Sequence, residues 1–463
     1  MIDPKSTKVS TGIDGLDEII DFLRIGDNVV WQVDKIEDYR EFVEPYLRRS
    51  LADNRNVVYF RFAHHESLID NIENKDKITV YNIDAYNGFE QFSTQINKAA
   101  TKEGREAFYL FDCLSDLLYA WATDFMIGNF FMITCPYLYE LDTIAFFAIL
   151  RNRCSFRSIA QIRETTQLFM NLYKRKGKVF VHPLKVYNRY TSTMFLPHIK
   201  DGDEFIPITN SVDTARFFTE YAQEGLGKAE RNIDYWDRMF IKAADFERRA
   251  GKGEKGAEIE GYKMLDKICT MLIGKDKRAI ELAKQYFTLA DLIDIKSRLI
   301  GSGYIGGKAV GMLLARKIIA LNKNHDLVNK MEMHDSFYIG SDVFFSYIVH
   351  NKLWKLWLKQ KESDEKIKIG KEIRKKIHEG KFPESIRELL YRMLDHYGQA
   401  PIIIRSSSLL EDSFGNAFAG KYESVFCINQ GSFEDRYEKL EEAIKIVYGS
   451  TMSPDAIGYR IKR

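Results

Sequence analysis

The residues best suited to chemistry lie between Pro401 and Phe426, in the stretch P-I-I-I-R-S-S-S-L-L-E-D-S-F-G-N-A-F-A-G-K-Y-E-S-V-F. The apolar run Ile402-Ile403-Ile404 predicts a short buried strand that ends on Arg405. Ser406, Ser407 and Ser408 follow, then the acidic pair Glu411-Asp412 and a small-residue turn around Phe418-Ala419-Gly420. A second strand is expected from Ser424 to Ile428. The pattern delivers one fixed cation into a loop dense in hydroxyl and backbone donors. Such a loop suits a polyphosphate, because a guanidinium offers forked donors and small residues let the backbone come close. An Arg–Glu ion pair inside an ordinary turn has the same composition, since structural pairs also place charges at strand ends.

A second candidate is Gly301-Ser302-Gly303-Tyr304-Ile305-Gly306-Gly307-Lys308, which opens a helical pattern through Met312-Leu313-Leu314 to Ile318-Ile319. It is not a Walker A loop: Ser302 stands where the first glycine is required, and Ala309 follows the lysine in place of Ser or Thr. A helix N-terminus still presents free N–H groups and the positive end of the dipole, which favour an anion. The alternative is a capped helix with an exposed lysine.

The order of these residues resembles the nucleotide-binding domain of the phosphoenolpyruvate synthase and pyruvate phosphate dikinase family. I-R-S-S-S-x-x-E-D and F-A-G-K-Y-E-S-V are similar to that family's V-R-S-S-A-x-x-E-D and S-F-A-G-Q-x-x-T. Ile305-Gly306-Gly307-Lys308-Ala309-Val310-Gly311 is similar to its V-G-G-K-x-x-x-L-G. Val447-Tyr448-Gly449-Ser450 with Ala456-Ile457-Gly458-Tyr459-Arg460 is similar to its S-L-(x)n-A-I-x-Y-R. The resemblance implies an ATP-grasp-like α+β domain whose front part spans residues 297–463. It implies that Lys308 and Arg405 bind nucleotide phosphates and stabilise their transfer. Gly420 and Ser424 would belong to a phosphate-covering loop, and Glu411 and Asp412 would orient Arg405. Lys421 and Ser424 replace the family's glutamine and threonine. ATP with Mg2+ is the implied cofactor, with no metal ligand assignable. A phosphocarrier histidine and a pyruvate-binding barrel complete the family's reaction, and neither motif occurs before Arg463, so the chain is expected to be the front of a longer protein. Rifampin phosphotransferases and glucan water dikinases share this nucleotide domain, so pyruvate or another acceptor is open.

The elements upstream read as a separate α/β domain over residues 1–210. Strands are expected at 27–33, Val57–Phe62, Ile78–Ile83, Phe108–Phe111, Ile144–Leu150 and Lys178–Val186, with helices at Asp38–Leu51 and Ser158–Tyr173 between them. That alternation predicts a mainly parallel sheet covered by helices. The opening T-G-I-D-G-L-D-E-I-I and the strand ending at Asp112 resemble RecA/KaiC-type ATPases. Where that family needs its glycine-rich phosphate loop, this chain reads Asp34-Lys35-Ile36-Glu37-Asp38-Tyr39. No glycine lets the backbone wrap a phosphate there, and three carboxylates repel one. The expectation is a RecA-like shell without ATP in the usual place, with Asp112 structural. His64 and His65 lack a third ligand at metal-binding spacing.

From 211 to 296 strand signals vanish and a helical connector is expected, broken at Gly251–Gly256. The 463 residues carry 68 basic and 66 acidic side chains, a formal net charge of +2, so no global field points to nucleic acid or an anionic membrane. The lysine-rich stretch from Trp354 to Arg392 has interspersed acids and no interleaved aromatics, the pattern of solvated helix faces. The five cysteines are scattered without C-x-x-C spacing and suit buried thiols in a cytoplasmic setting. The apolar region Phe125–Leu150 is interrupted by Asn129, Pro136, Glu140 and Asp142, which excludes a span of about 20 apolar residues. Self-assembly is expected only by analogy with RecA-like shells. A rival reading is a non-catalytic regulatory or scaffold protein built on two decayed nucleotide folds; a clock-type ATPase in the first domain is opposed by Asp34–Tyr39.

Overall fold

Runs such as Val29–Trp31 and Ile144–Leu150 are apolar at every position, the pattern of strands covered on both faces. The computed structural model bears this out. It describes residues 4–221, 233–254, 256–274, 276–321, 327, 329–332, 335–409, 411 and 420–462. The chain divides into two compact units, Met1–Tyr235 and Trp236–Arg463.

In the first unit, β1 (Lys8–Val9) and β2 (Leu23–Arg24) form a small antiparallel ladder. A nine-stranded sheet comprises β3 (Asn28–Val33), β4 (Val57–Arg61), β5 (Thr79–Asn82), β6 (Phe108–Cys113), β7 (Ile144–Leu150), β8 (Leu168–Arg175), β9 (Lys178–Val186), β10 (His198–Asp201) and β11 (Glu204–Pro207). Its order is β11-β10-β9-β8-β3-β7-β6-β4-β5. The strands from β8 to β5 in that order run parallel, and β9 to β11 extend the sheet antiparallel. Helix Ile36–Ala52 covers one face through Tyr39, Phe42 and Tyr46, with Tyr46 stacked on Phe146 at 3.9 Å between ring centroids. On the other face Phe111 stacks on Phe147 at 4.4 Å, and Phe130 and Phe131 of helix Asp124–Glu140 pack against them. Each such ring contributes about 1.5–3 kcal/mol by leaving water.

One element differs from expectation. The helix expected at Ser158–Tyr173 is Phe156–Thr165, and the residues after it form β8, paired with β3 on one side and β9 on the other. Leu168–Tyr173 is buried at every position. A strand covered on both faces loses its two-residue alternation, so its apolar run reads like a continuation of the helix. The apolar region Phe125–Leu150 is a buried helix followed by β7. No helix among the described residues is long and apolar enough to cross a membrane.

The second unit is mainly helical. Helices Ala257–Ile273, Lys277–Tyr286 and Leu289–Ser297, expected as part of a connector, lie within it. β12 (Leu299–Ile300) pairs in parallel with β13 (Tyr338–Ile339), and β14 (Ile402–Arg405) pairs antiparallel with β15 (Ser424–Cys427). Helix Phe433–Ser450 packs behind that ribbon, where Cys427 Sγ lies 3.7 Å from the Lys439 carbonyl oxygen. The expectation of a buried Ile402–Ile404 is corrected here: Ile402 and Ile404 are half-buried and Ile403 is exposed, because only one face of the ribbon is covered.

Ser432 and Asp435 cap the supporting helix reciprocally, each side chain bonding the other's backbone N–H. Ser432→Ala is expected to cost about 1 kcal/mol in urea denaturation, and Ser432→Gly only a few tenths. An unchanged midpoint in Ser432→Ala would show that the cap contributes nothing.

Candidate functional site

The serine loop and the glycine–lysine helix, separated by about a hundred residues in sequence, interlock in the second unit. Helix Gly307–Leu321 begins at the glycine pair. Gly306 has φ +84°, and a Cβ on it would overlap the Ser407 carbonyl oxygen. A Cβ on Gly307 would overlap the carbonyl of Glu411. Both glycines are therefore required by the close approach of the loop. Gly307 N–H donates to the Ser408 carbonyl at 3.2 Å, and Ala309 N–H donates to Ser407 Oγ at 3.0 Å. The helix N-terminus expected to present free donors to an anion is thus partly capped by the loop itself.

Glu411 organises the loop. Its carboxylate accepts from Lys308 Nζ at 3.2 Å, from Ser406 Oγ at 2.9 Å and from the Ser408 N–H at 2.9 Å. The Glu411 side chain is 6% exposed and that of Lys308 28%. Glu411 holds Lys308 rather than Arg405, the partner that the family resemblance implied for it.

Arg405 ends β14, directly across from Ser424 on β15, and both are exposed. Among the described residues no hydrogen bond or ion pair engages the Arg405 guanidinium. Gly420 has φ +71°, a conformation that glycine adopts without strain, and open space where a Cβ would be. Asp412 lies outside the described residues.

Two residues not singled out as ligands join this neighbourhood. Arg460 donates to the Tyr422 hydroxyl at 3.4 Å and to the Thr451 carbonyl at 2.6 Å. Burial pushes the Tyr422 phenol up, a shift opposed by Arg460 and Ser408 beside it. Arg460 was visible in the A-I-G-Y-R element; nothing in the local sequence marks Tyr422.

In the first unit, the segment after β3, where the RecA/KaiC resemblance leads one to expect a phosphate loop, carries ion pairs. Asp34, just past β3, accepts from Arg151 Nε at 2.9 Å and Arg175 Nη1 at 2.8 Å. Arg151 also donates to the Leu172 carbonyl at 2.8 Å and lies over the Tyr173 ring at 3.9 Å. Asp112 is fully buried, and its carboxylate accepts from Tyr59 Oη, from Arg61 Nη1 at 2.5 Å, and from the Phe62 and Ala63 N–H groups at 2.8 Å each. It fixes the turn after β4. His65 Nε2 accepts from the Cys113 N–H at 3.1 Å, leaving its proton on Nδ1 toward the Glu66 carbonyl at 2.7 Å. Among the described residues no three His, Cys, Asp or Glu side chains converge as a metal site.

Residues 302–463 match the family model described as Pyruvate phosphate dikinase, AMP/ATP-binding domain. No curated protein sequence matches the chain.

Proposed function

We propose, from the match of residues 302–463 to the AMP/ATP-binding domain of pyruvate phosphate dikinase, that Lys308 and Arg405 bind the phosphates of ATP for phosphoryl transfer of the phosphoenolpyruvate synthase kind. The observation that carries this reading is the convergence of both cations on one loop. Arg405 enters it with a guanidinium that no partner engages among the described residues, and Glu411 of the same loop holds Lys308. Two fixed cations neutralise phosphate charge as it shifts in the transition state, the main task in this chemistry. Gly420 and Ser424 belong to the phosphate-covering segment in this proposal, within an ATP-grasp-like architecture, and Asp412 orients Arg405. The acceptor is a phosphocarrier histidine on a swivelling domain and, through it, pyruvate or another phosphoryl acceptor. The five buried free thiols support a cytoplasmic setting.

Mg2+ accompanies ATP in this family, but the described residues do not fit a protein-held ion. The Glu411 carboxylate is committed to Lys308, Ser406 and Ser408, and no ligand cluster stands nearby among the described residues.

Glu411 presents to Lys308 the kind of oxygen a phosphate would present, so ATP must take the lysine from it. Glu411→Gln is expected to tighten ATP binding several-fold, since a charge-assisted partner no longer competes. Calorimetric titration decides: weaker binding would mean that Glu411 instead positions Lys308 for the phosphate.

For the first unit we infer a RecA/KaiC-like domain that holds no nucleotide in the usual place. The support is Asp34, whose carboxylate takes up Arg151 and Arg175 where a phosphate loop would stand. The same observation favours a regulatory or scaffold role for this unit. In the chain carrying both Lys308→Ala and Arg405→Ala, ATP binding should vanish; a full-strength residual site would assign nucleotide to the first unit.

A further inference from the structure

The β14–β15 ribbon has two unlike faces. Cys427, packed toward helix Phe433–Ser450, is 7% exposed, whereas its neighbour Phe426 is 79% exposed. Phe426 lies across from Ile403, itself 44% exposed, and Ile428, just past the end of β15, is 72% exposed. The next pair on that face is Arg405 across from Ser424. Alternation puts both pairs on one side, about 7 Å apart along the strands. An apolar patch of large side chains in water marks a binding place, and here it runs directly into a cation and a hydroxyl.

We propose that this face is the platform for the base of the bound nucleotide. Phe426 stacks on the ring, Ile403 and Ile428 flank it, and the phosphates run toward Arg405 and Ser424. The inference rests on the phosphate-site reading above and adds the place of the base. A nucleotide carries a flat aromatic ring at one end and anions at the other, the same order that the ribbon presents. A second copy of the chain stacked on this face would cover the apolar pair, but it would also desolvate the Arg405 guanidinium, which is unfavourable unless a carboxylate meets it. An occupant that is aromatic and anionic meets both halves. Stacking of a base on an aromatic side chain tolerates any base, so Phe426 contributes affinity for nucleotides over bare phosphates rather than a choice among bases.

The test compares ATP with inorganic tripolyphosphate by calorimetric titration of the whole chain. Phe426→Ser, at an exposed position, is expected to weaken ATP binding roughly ten- to a hundred-fold and to leave tripolyphosphate unchanged. Phe426→Trp should retain ATP affinity and add a fluorescence quench by ATP that tripolyphosphate does not cause. If the wild-type chain binds ATP and Phe426→Ser binds it equally well, the platform is overturned and the phosphate site stands. A halved mass for that variant in light scattering would then identify a second copy as the cover. If the wild-type chain binds neither ligand, the phosphate-site reading falls and the platform falls with it.

Discussion

Arg405→Ala is expected to weaken ATP binding roughly 10- to 150-fold, the worth of a hydrogen bond to a charged group at about 1.5–3 kcal/mol. The fold should scarcely respond. The guanidinium is exposed and unengaged among the described residues, and substitutions at such positions change stability by about 0.5 kcal/mol or less. Lys308→Ala should weaken ATP binding to a similar degree but also destabilise the second unit. Removing the ammonium leaves the Glu411 carboxylate, 6% exposed, without its counter-charge, a loss of about 1–3 kcal/mol. The two variants together separate ligand recognition from loop maintenance, with ATP titration reading the first and urea denaturation the second. Undiminished ATP affinity in both would remove Lys308 and Arg405 from the site.

Acidification is expected to move the two units in opposite directions. In the second unit, Asp342 accepts from the Ser302 N–H at 2.7 Å and from Ser302 Oγ at 2.8 Å, holding the glycine loop that precedes Lys308. Burial pushes its carboxyl from 3.8 up to about 6. The folded form therefore holds this proton more tightly than the unfolded chain. The resulting stabilisation is complete below pH 3.8 and is lost as pH rises through 6, on the order of 3 kcal/mol at 1.36 kcal/mol per pH unit. In the first unit, burial pushes the His182 imidazole from 6.5 down to about 4. There the unfolded chain takes the proton first. Stability is complete above pH 6.5 and is lost as pH falls through 4, again on the order of 3 kcal/mol.

Asp342→Asn keeps an acceptor for Ser302 and should gain stability over wild type between pH 4 and 7. His182→Gln keeps a donor for the Phe195 carbonyl, now 3.2 Å from Nε2, and should lose the acid limb. Denaturant unfolding of both variants and the wild type across pH 4–8 supplies the comparison. Curves parallel to wild type for either variant would show that its group does not titrate as described.

The phosphate-site candidates were legible because they are backbone demands written as residue types. A glycine pair before a lysine and a serine run after an arginine stand out in any order of reading, and the family match covers both stretches. Sequence alone also determined the alternating α/β character of the first unit, from its largely apolar strands, and the absence of glycine from Asp34–Tyr39. What only the tertiary structure decided is which charges meet. The family resemblance suggested Glu411 for Arg405, six residues away, but the fold brings Lys308 to it from the start of another helix. Asp34 looked like a repellent for phosphate, yet Arg151 and Arg175 from the ends of β7 and β8 neutralise it. Asp112 ended its strand as a metal ligand would, and four donors from β4 and the turn beyond it occupy the carboxylate. An ion pair depends on a few ångströms between side chains distant in sequence, whereas a glycine's freedom or a strand's apolar run is a property of the residues themselves.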